Sequence, residues 1–384
     1  MRRYVIDSTR NISRLLQGML LTGVDRVGVE YIRRFGDEAT AMVRFGGRWL
    51  FLSDRDSSAV FQAIVDQSIT SNAAIRACVA RAYAGLGARG VGKRLLMNVL
   101  HSGLEDVRYA ARSKQHGLVG VFFLHDLIPL MYPEYNRPNQ WEKHRQRLCT
   151  IMDCGQLVVC NSEETRESFQ AWAARIRRSI PHGVVASLGA GRLAAPAMTA
   201  PIEGPYFVSL GTVEPRKNHL LLLNIWREFA AELGDRAPAL VIIGQRGWEC
   251  EQVVDMLERC QGLRGLVIEK NRCNDLELAT WLAHARALLF PSFAEGYGIP
   301  LVEALSLGVP VIASTLTVFR EIAGDIPDYL EPIDGLGWKR LILDYADPSS
   351  VRAGAQRLRM KGYRVPSWDD HFAIVEPEVR SLLG

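Results

Sequence analysis

No two of the seven cysteines form a Cys-x-x-Cys pair; they stand singly at positions 78, 149, 154, 160, 250, 260 and 273. An odd, scattered set excludes a complete disulfide framework and reads as buried thiols in a reducing compartment. The eight histidines do not gather with Asp, Glu or Cys at metal-ligand spacing, which argues against a zinc site. There is no Gly-x-x-x-x-Gly-Lys-[Ser/Thr] phosphate loop and no Gly-x-Ser-x-Gly nucleophile elbow, so the commonest nucleotide triphosphatase and α/β-hydrolase chemistries are set aside. Long apolar runs are missing as well. Nothing approaches a transmembrane helix in length, and the start MRRYVIDSTRN meets Asp7 before any signal-like apolar region. The expectation is a cytoplasmic chain whose membrane contact is at most peripheral. The formal net charge of +4 is mild; it permits a phosphate or an anionic surface as partner and makes no case for nucleic acid.

What is present is the grammar of a parallel α/β protein. At 384 residues, 48% hydrophobic and 23% charged, the chain is long for one core and comfortable for two. From residue 205 onward, strand-like apolar runs (YFVSLG, PALVIIG, GLVIE, RALLFPS, VPVIAST) alternate with helical patterns. Such alternation predicts a parallel sheet wrapped by helices. The first half repeats the pattern less cleanly, in YVID, in GVFFLHDLIPL and in GQLVVCNS. We therefore expect two facing Rossmann-like domains, 1–190 and 205–365, joined by an Ala/Gly/Pro-rich linker at 191–204, with a ligand in the cleft at the facing strand ends. A terminal helix over 366–384, with Trp368 and Phe372 four apart, is expected to return to the first domain. Residues 76–114 carry eight Lys or Arg against Glu105 and Asp106. That stretch reads as a solvated basic surface, or as a patch for an anionic membrane or phosphate-bearing acceptor.

Two segments concentrate the chemistry. EGYGIPLVE, Glu295 to Glu303, follows the apolar run ALLFPS, and so reads as a buried strand, a glycine-rich loop and the start of a helix with Pro300 in its first turn. Its two ionised carboxylates suit hydrogen bonding to sugar and ribose hydroxyls. SLGTVEPRKNHLLLL, residues 209–223, reads as a strand end, a loop carrying Arg216 and Lys217, and an apolar helix. A forked guanidinium and a compact ammonium beside a helix N-terminus suit a diphosphate, and fixed cations there would favour departure of a pyrophosphate leaving group. His125 and Asp126 end the FFLH strand; the imidazole is placed to meet a substrate hydroxyl, with Asp126 fixing its tautomer or its loop. Gly23 opens a turn that lets backbone approach phosphates. Asp54-Arg55-Asp56 has a spacing that holds a divalent metal in some sugar transferases, against which stands an ordinary surface turn; no metal is assigned.

Together, GTVEPRKNH, the stretch from DLELATWLAHA through EGYGIPLVEALSLGVPVIAS, and REIAGD closely resemble the second domain of bacterial family 4 retaining glycosyltransferases. The resemblance extends to TGVDRV, HDLIP and VVCNSEET in the first half. It implies the GT-B fold and transfer of a hexose from a nucleotide diphosphate sugar with retention of configuration and no obligatory metal or cofactor. It also implies that Glu295 lies near the donor sugar and Glu303 near the ribose, that Arg216 and Lys217 bracket the diphosphate, and that His125 stands near the transferred sugar. Gly23 falls in the early phosphate-side loop, Asp126 beside the donor, and Ser314 and Thr315 along the same pocket. Many relatives carry an arginine where this chain has Gly211-Thr212; either Arg216 takes over part of that charge or the phosphate geometry differs.

The similarity to mannosyltransferases of surface polysaccharide synthesis makes GDP-mannose the first expected donor, with UDP-glucose, another UDP-hexose and a GDP-deoxyhexose as alternatives. The acceptor class is a glycan or a polyprenyl-diphosphate-linked oligosaccharide, reached at the cytoplasmic face of the inner membrane. A front-face transfer, in which the leaving phosphate takes the incoming hydroxyl's proton, is the expected mechanism. A non-catalytic nucleotide-sugar-binding assembly protein and an epimerase or phosphorylase of the same fold are the other readings.

Overall fold

The computed structural model describes residues 2–19, 21–67, 72–88, 93–191 and 193–383. The chain divides into two compact units, one of residues 1–127, 142–188 and 368–384, the other of residues 128–141 and 189–367. Strands of the first unit are β1 (Tyr4–Asp7), β2 (Ala39–Phe45), β3 (Arg48–Phe51), β4 (Arg94–Asn98), β5 (Leu118–Leu124), β6 (Gly155–Cys160) and β7 (His182–Val185). They line up as β3-β2-β1-β4-β5-β6-β7, all parallel except the β2/β3 hairpin. The second unit holds β8 (Tyr206–Leu210), β9 (Ala239–Ile243), β10 (Val267–Lys270), β11 (Leu288–Phe290), β12 (Val311–Ser314) and β13 (Asp328–Leu330), in the all-parallel order β10-β9-β8-β11-β12-β13. Central strands such as LLF at β11 and VIAS at β12 are buried along their whole length. That is why they appear as unbroken apolar runs, without the alternation of a half-exposed sheet.

Each order reverses direction once, between β1 and β4 in the first sheet and between β8 and β11 in the second. At such a point the helices leave to opposite faces and a crevice opens beyond the carboxyl ends of the two strands. In the second unit the loops emerging there are those that carry EPRKN and EGYG.

The basic stretch 76–114 contains a strand that its charge conceals. RLLMN forms β4 at the centre of the first sheet, hydrogen-bonded to β1 and β5. Arg94 is buried with its guanidinium 5.1 Å from the centre of the Phe51 ring, while Arg81 pairs with Asp56 at 2.5 Å and Arg108 with Asp106 at 2.9 Å. The segment is thus part core and part surface; its residues 89–92 lie outside the described residues.

Two features cross the sequence order. The helix Trp368–Ser381 belongs to the first unit, where Phe372 packs edge-on against Tyr31 at 5.2 Å and Phe35 at 5.7 Å. His371 sits 3.1 Å from the Tyr31 hydroxyl. Conversely, residues 128–141 leave the first unit immediately after His125 and Asp126 and pack with the second. There Tyr135 stacks on Phe293 at 5.6 Å, the Trp248 indole donates to the Tyr135 carbonyl at 3.0 Å, and the Arg137 guanidinium lies 5.4 Å from the centre of the Trp248 ring. The Ala/Gly/Pro stretch expected as a linker has no regular secondary structure over 193–204. It is tied to the second unit at Ala197, whose amide donates to Thr280 Oγ1 at 3.0 Å.

Candidate functional site

In the second unit the candidate residues begin where β8 ends. Gly211 has φ +142°, and a Cβ built on it would lie 3.1 Å from Lys217 Cε. The lysine stem fills the space a side chain would need, which gives a physical reason for glycine at this position. Pro215–Lys217 then makes one 3-10 turn, and Asn218, left-handed at φ +58°, opens the helix His219–Leu233. Asn218 Nδ2 donates to the carbonyls of Pro291 and Pro332 at 3.2 and 2.8 Å. The EPRKN loop is thereby stitched to the loop that follows β11. That second loop ends at Gly298 (φ +119°), where a Cβ would meet Phe319 at 2.9 Å, and runs into the helix Ile299–Ser306 with Pro300 in its first turn.

Between these loops lies a buried four-charge network. Lys217 Nζ meets Glu295 Oε1 at 2.6 Å, Arg216 Nη1 meets Glu295 Oε2 at 2.7 Å, and Arg216 Nη2 meets Glu214 Oε1 at 2.5 Å. Ser292 Oγ donates to Glu295 Oε1 at 2.7 Å. Burial by itself would raise the Glu295 pKa, but the Arg216 and Lys217 charges outweigh it and hold the carboxyl at about 2. It is therefore ionised at any working pH. Burial pushes the Lys217 pKa down, opposed chiefly by Glu295. Burial likewise pushes Glu214 up, opposed by Arg216 and Lys217. Lys217 Nζ also lies 4.8 Å from the centre of the Phe290 ring.

In the first unit the candidate residues are neutral rings. His125 follows β5, and its Nε2 lies 2.7 Å from the Val99 carbonyl. A carbonyl only accepts, so the proton is on Nε2 and Nδ1 is left as an acceptor. Asn161 Nδ2 donates to the His125 carbonyl at 2.8 Å, so backbone and ring are both held. The rings of His101 and His144 complete a cluster, with His101 centred 5.1 Å from His125 and 5.9 Å from His144. Each of these two is tied in the same way, His101 Nε2 to the Phe123 carbonyl at 2.7 Å and His144 Nε2 to the Asp126 carbonyl at 3.1 Å. Burial lowers the pKa of His125 and of His144 to about 4, and that of His101 well below its usual value. At the switch-point edge, Gly23 begins the helix Gly23–Phe35 inside a Thr22/Asp25 capping box. Buried Asp25 takes Arg10 and Arg14, each at 2.8 Å, and the Arg10 and Asp25 charges reach His125.

Residues 204–336 match the family model described as Glycosyl transferases group 1. Over 261 residues the chain is 31% identical to O-antigen chain mannosyltransferase B of Escherichia coli, covering 64% of this chain and 66% of that protein. Over 223 residues it is 30% identical to the serotype-specific mannosyltransferase WbdA of Escherichia coli, covering 54% of this chain and 27% of that protein. The chain thus spans about a quarter of the length of the WbdA relatives it matches. The structure of Anabaena Alr3699/HepE in complex with UDP and glucose aligns over 98% of this chain and 99% of that one, with a TM-score of 0.67 at 16% identity. This chain has the GT-B fold.

Within this GT-B chain, the residues singled out by sequence fall into several environments. Arg216, Lys217 and Glu295 come together in one network. Glu303 is buried in the helix Ile299–Ser306, and Ser314, at the end of β12, is fully buried with no hydrogen-bond partner for its hydroxyl among the described residues. Thr315 is exposed. The Val99 carbonyl sets the His125 tautomer, while Asp126 contributes its backbone carbonyl to His144. Asp54 and Asp56 open the helix Asp54–Val65, capped by Ser53, and Asp56 is taken by Arg81; no group of three His, Cys, Asp or Glu side chains suited to a metal occurs among the described residues. Sequence reasoning missed Glu214, Ser292, His101 and His144. Glu214 adjoins a quoted motif and Ser292 lies three residues before Glu295, so both carried a signal; the two histidines meet His125 only through the sheet.

Proposed function

We propose that this GT-B chain is a nucleotide-sugar-dependent hexosyltransferase that acts with retention of anomeric configuration and without a metal. The observation that carries this reading is the buried Lys217–Glu295 pair at the switch point of the second sheet. Lys217 gives one of its three protons to Glu295, leaving two for the phosphate oxygens of a donor. As the bond from the anomeric carbon to the diphosphate breaks, negative charge grows on that oxygen, and a fixed, poorly solvated ammonium stabilises it more than it stabilises the ground state. The ionised Glu295 accepts from donor sugar hydroxyls, and Glu303 from the ribose. His125 offers Nδ1 as an acceptor to a hydroxyl of the transferred hexose. Gly23, Asp126, Ser314 and Thr315 complete the donor surroundings. The acceptor hydroxyl attacks the face that the diphosphate leaves, and its proton passes to the departing phosphate oxygen.

Two donors are supported by different relatives. Those named as mannosyltransferases favour GDP-mannose; HepE, solved with UDP and glucose, favours a UDP-hexose. A glycan or polyprenyl-diphosphate-linked acceptor fits either. Contact with an anionic membrane is supported by an exposed aromatic patch in which Phe45 meets Tyr83 at 6.0 Å and Arg48 lies over Tyr83 at 4.8 Å. The test incubates purified protein with a panel of GDP- and UDP-sugars and glycan acceptors, identifying products by mass and linkage by NMR. A new glycosidic bond of unchanged anomeric configuration is expected. An inverted product would remove the mechanism, donor binding without turnover would favour an assembly protein, and acceptor-independent interconversion would favour an epimerase.

A further inference from the structure

Arg216 and Lys217 are neighbours in sequence, yet their hydrogen bonds divide them. Arg216 Nη1 carries two protons, and both are committed: one to the Ala294 carbonyl at 2.9 Å, one to Glu295 Oε2 at 2.7 Å. Nη2 faces Glu214 at 2.5 Å. The Arg216 backbone joins in, its carbonyl accepting from the Phe293 amide at 2.8 Å. Side chain and main chain of Arg216 together tie the 3-10 turn after β8 to the loop after β11. Glu214 is itself almost sealed from solvent, with 2% of its side chain exposed against 20% for Arg216. A carboxylate buried that far is costly without a cation, so the Glu214–Arg216 pair forms as a unit and fixes the direction in which the guanidinium points.

From this we infer that Arg216 is a positioning residue, held by Glu214, whose task is to orient Glu295 toward the donor sugar, and that the cationic contact to the diphosphate falls to Lys217. Two acids and two bases make the network neutral overall, so it presents no surplus field to an anion; what it presents are the two N–H donors of Lys217 that Glu295 does not take. The cationic role that the resemblance leads one to expect at Gly211-Thr212 is then not taken over by Arg216. This rests on the reading above that Glu295 meets the donor sugar and Lys217 the diphosphate.

The test separates nucleotide affinity from turnover. Wild type, Arg216→Gln, Arg216→Ala, Lys217→Ala and Glu214→Gln are titrated with GDP and with UDP by calorimetry, and their kcat and KM are measured on the preferred donor, with thermal melts establishing which variants fold. For Arg216→Gln the affinity for the nucleoside diphosphate is expected to change by less than about threefold while kcat falls roughly 10- to 100-fold, the span of one charge-assisted hydrogen bond. Lys217→Ala should weaken nucleoside diphosphate binding by about tenfold or more. Glu214→Gln should follow Arg216→Gln in lowering kcat, and the double variant Glu214→Gln/Arg216→Gln should be no worse than Arg216→Gln alone, a non-additivity that simple loss of stability does not produce. The inference is overturned if Arg216→Gln weakens GDP or UDP binding as much as Lys217→Ala does, or if Glu214→Gln and Arg216→Gln multiply. Should wild type bind neither nucleotide, the donor-site reading itself fails and takes this inference with it.

Discussion

The two units hold their candidate residues by opposite physical means. The second unit holds four formal charges, Glu214, Arg216, Lys217 and Glu295, within a network of contacts no longer than 2.7 Å. The first unit holds three neutral imidazoles, His101, His125 and His144, each pinned by a backbone carbonyl. A paired-charge cluster, neutral overall, offers strong and fixed hydrogen-bond donors and acceptors. A neutral ring with a fixed tautomer instead offers one directional acceptor that does not change with pH near neutrality. The contrast teaches that one chain can fix its candidate side chains by paired charges in one unit and by backbone bonds to neutral rings in the other.

The largest expected effect tests the neutral half. His101, His125, His144 and His371, all in the first unit, have pKa values lowered by burial, the last three to about 4. The unfolded chain would bind their protons near pH 6.5, so between pH 6.5 and about 4 it takes up more protons than the folded chain and stability falls as pH falls. The combined loss is on the order of several kcal/mol. Hydrogen exchange followed from pH 6.5 to 4.5 should show the first unit opening before the second, where His219 alone carries a comparable shift, to about 3. Simultaneous opening would remove the contrast.

Next in size is Lys217→Ala, which breaks the charged half. Loss of a fixed donor at a site of developing negative charge costs roughly 10²- to 10³-fold in kcat, read from initial rates of product formation. Glu295→Gln keeps the shape but removes the charge, and its rate should drop about 10- to 100-fold; an unaltered rate would dismiss its contact with the donor. The smallest effect is expected at His125. His125→Gln keeps a donor and an acceptor, and should lower kcat/KM by about tenfold, one hydrogen bond's worth. The pH profile of wild-type kcat/KM should show no inflection near 6.5 attributable to this ring, because it titrates at about 4; a break there that vanished in His125→Gln would mean the ring works in its charged form.

The same division explains what could be read before the fold was known. Glu295, Arg216 and Lys217 sit in short contiguous motifs on strand-loop-helix patterns, and the loops that carry them emerge at one switch point, so local sequence implied their meeting. The companions of His125 come from two other places, the loop after β4 and the helix Gln140–Cys154. No local pattern joins them. β4 itself was hidden because Arg94 begins it directly after Lys93, amid basic residues, and a charge at a buried strand end is legible only once the Phe51 ring beneath Arg94 is known. Gly211 looked like a missing phosphate contact until the Lys217 stem was found to lie against it.

The exchange of segments between units carries a consequence for heredity. Because residues 128–141 belong with the second unit and 368–384 with the first, the coding sequence of neither unit is one uninterrupted stretch. A single recombination event at the 188/189 boundary would join a first unit to a foreign terminal helix, setting Tyr31 and Phe35 against a residue other than Phe372, and would pair Phe293 and Trp248 with another chain's Tyr135. The second unit of this chain is therefore not freely exchanged on its own. Any viable hybrid must carry over the terminal helix and the 128–141 segment along with the units they serve, or arrive with both already matched.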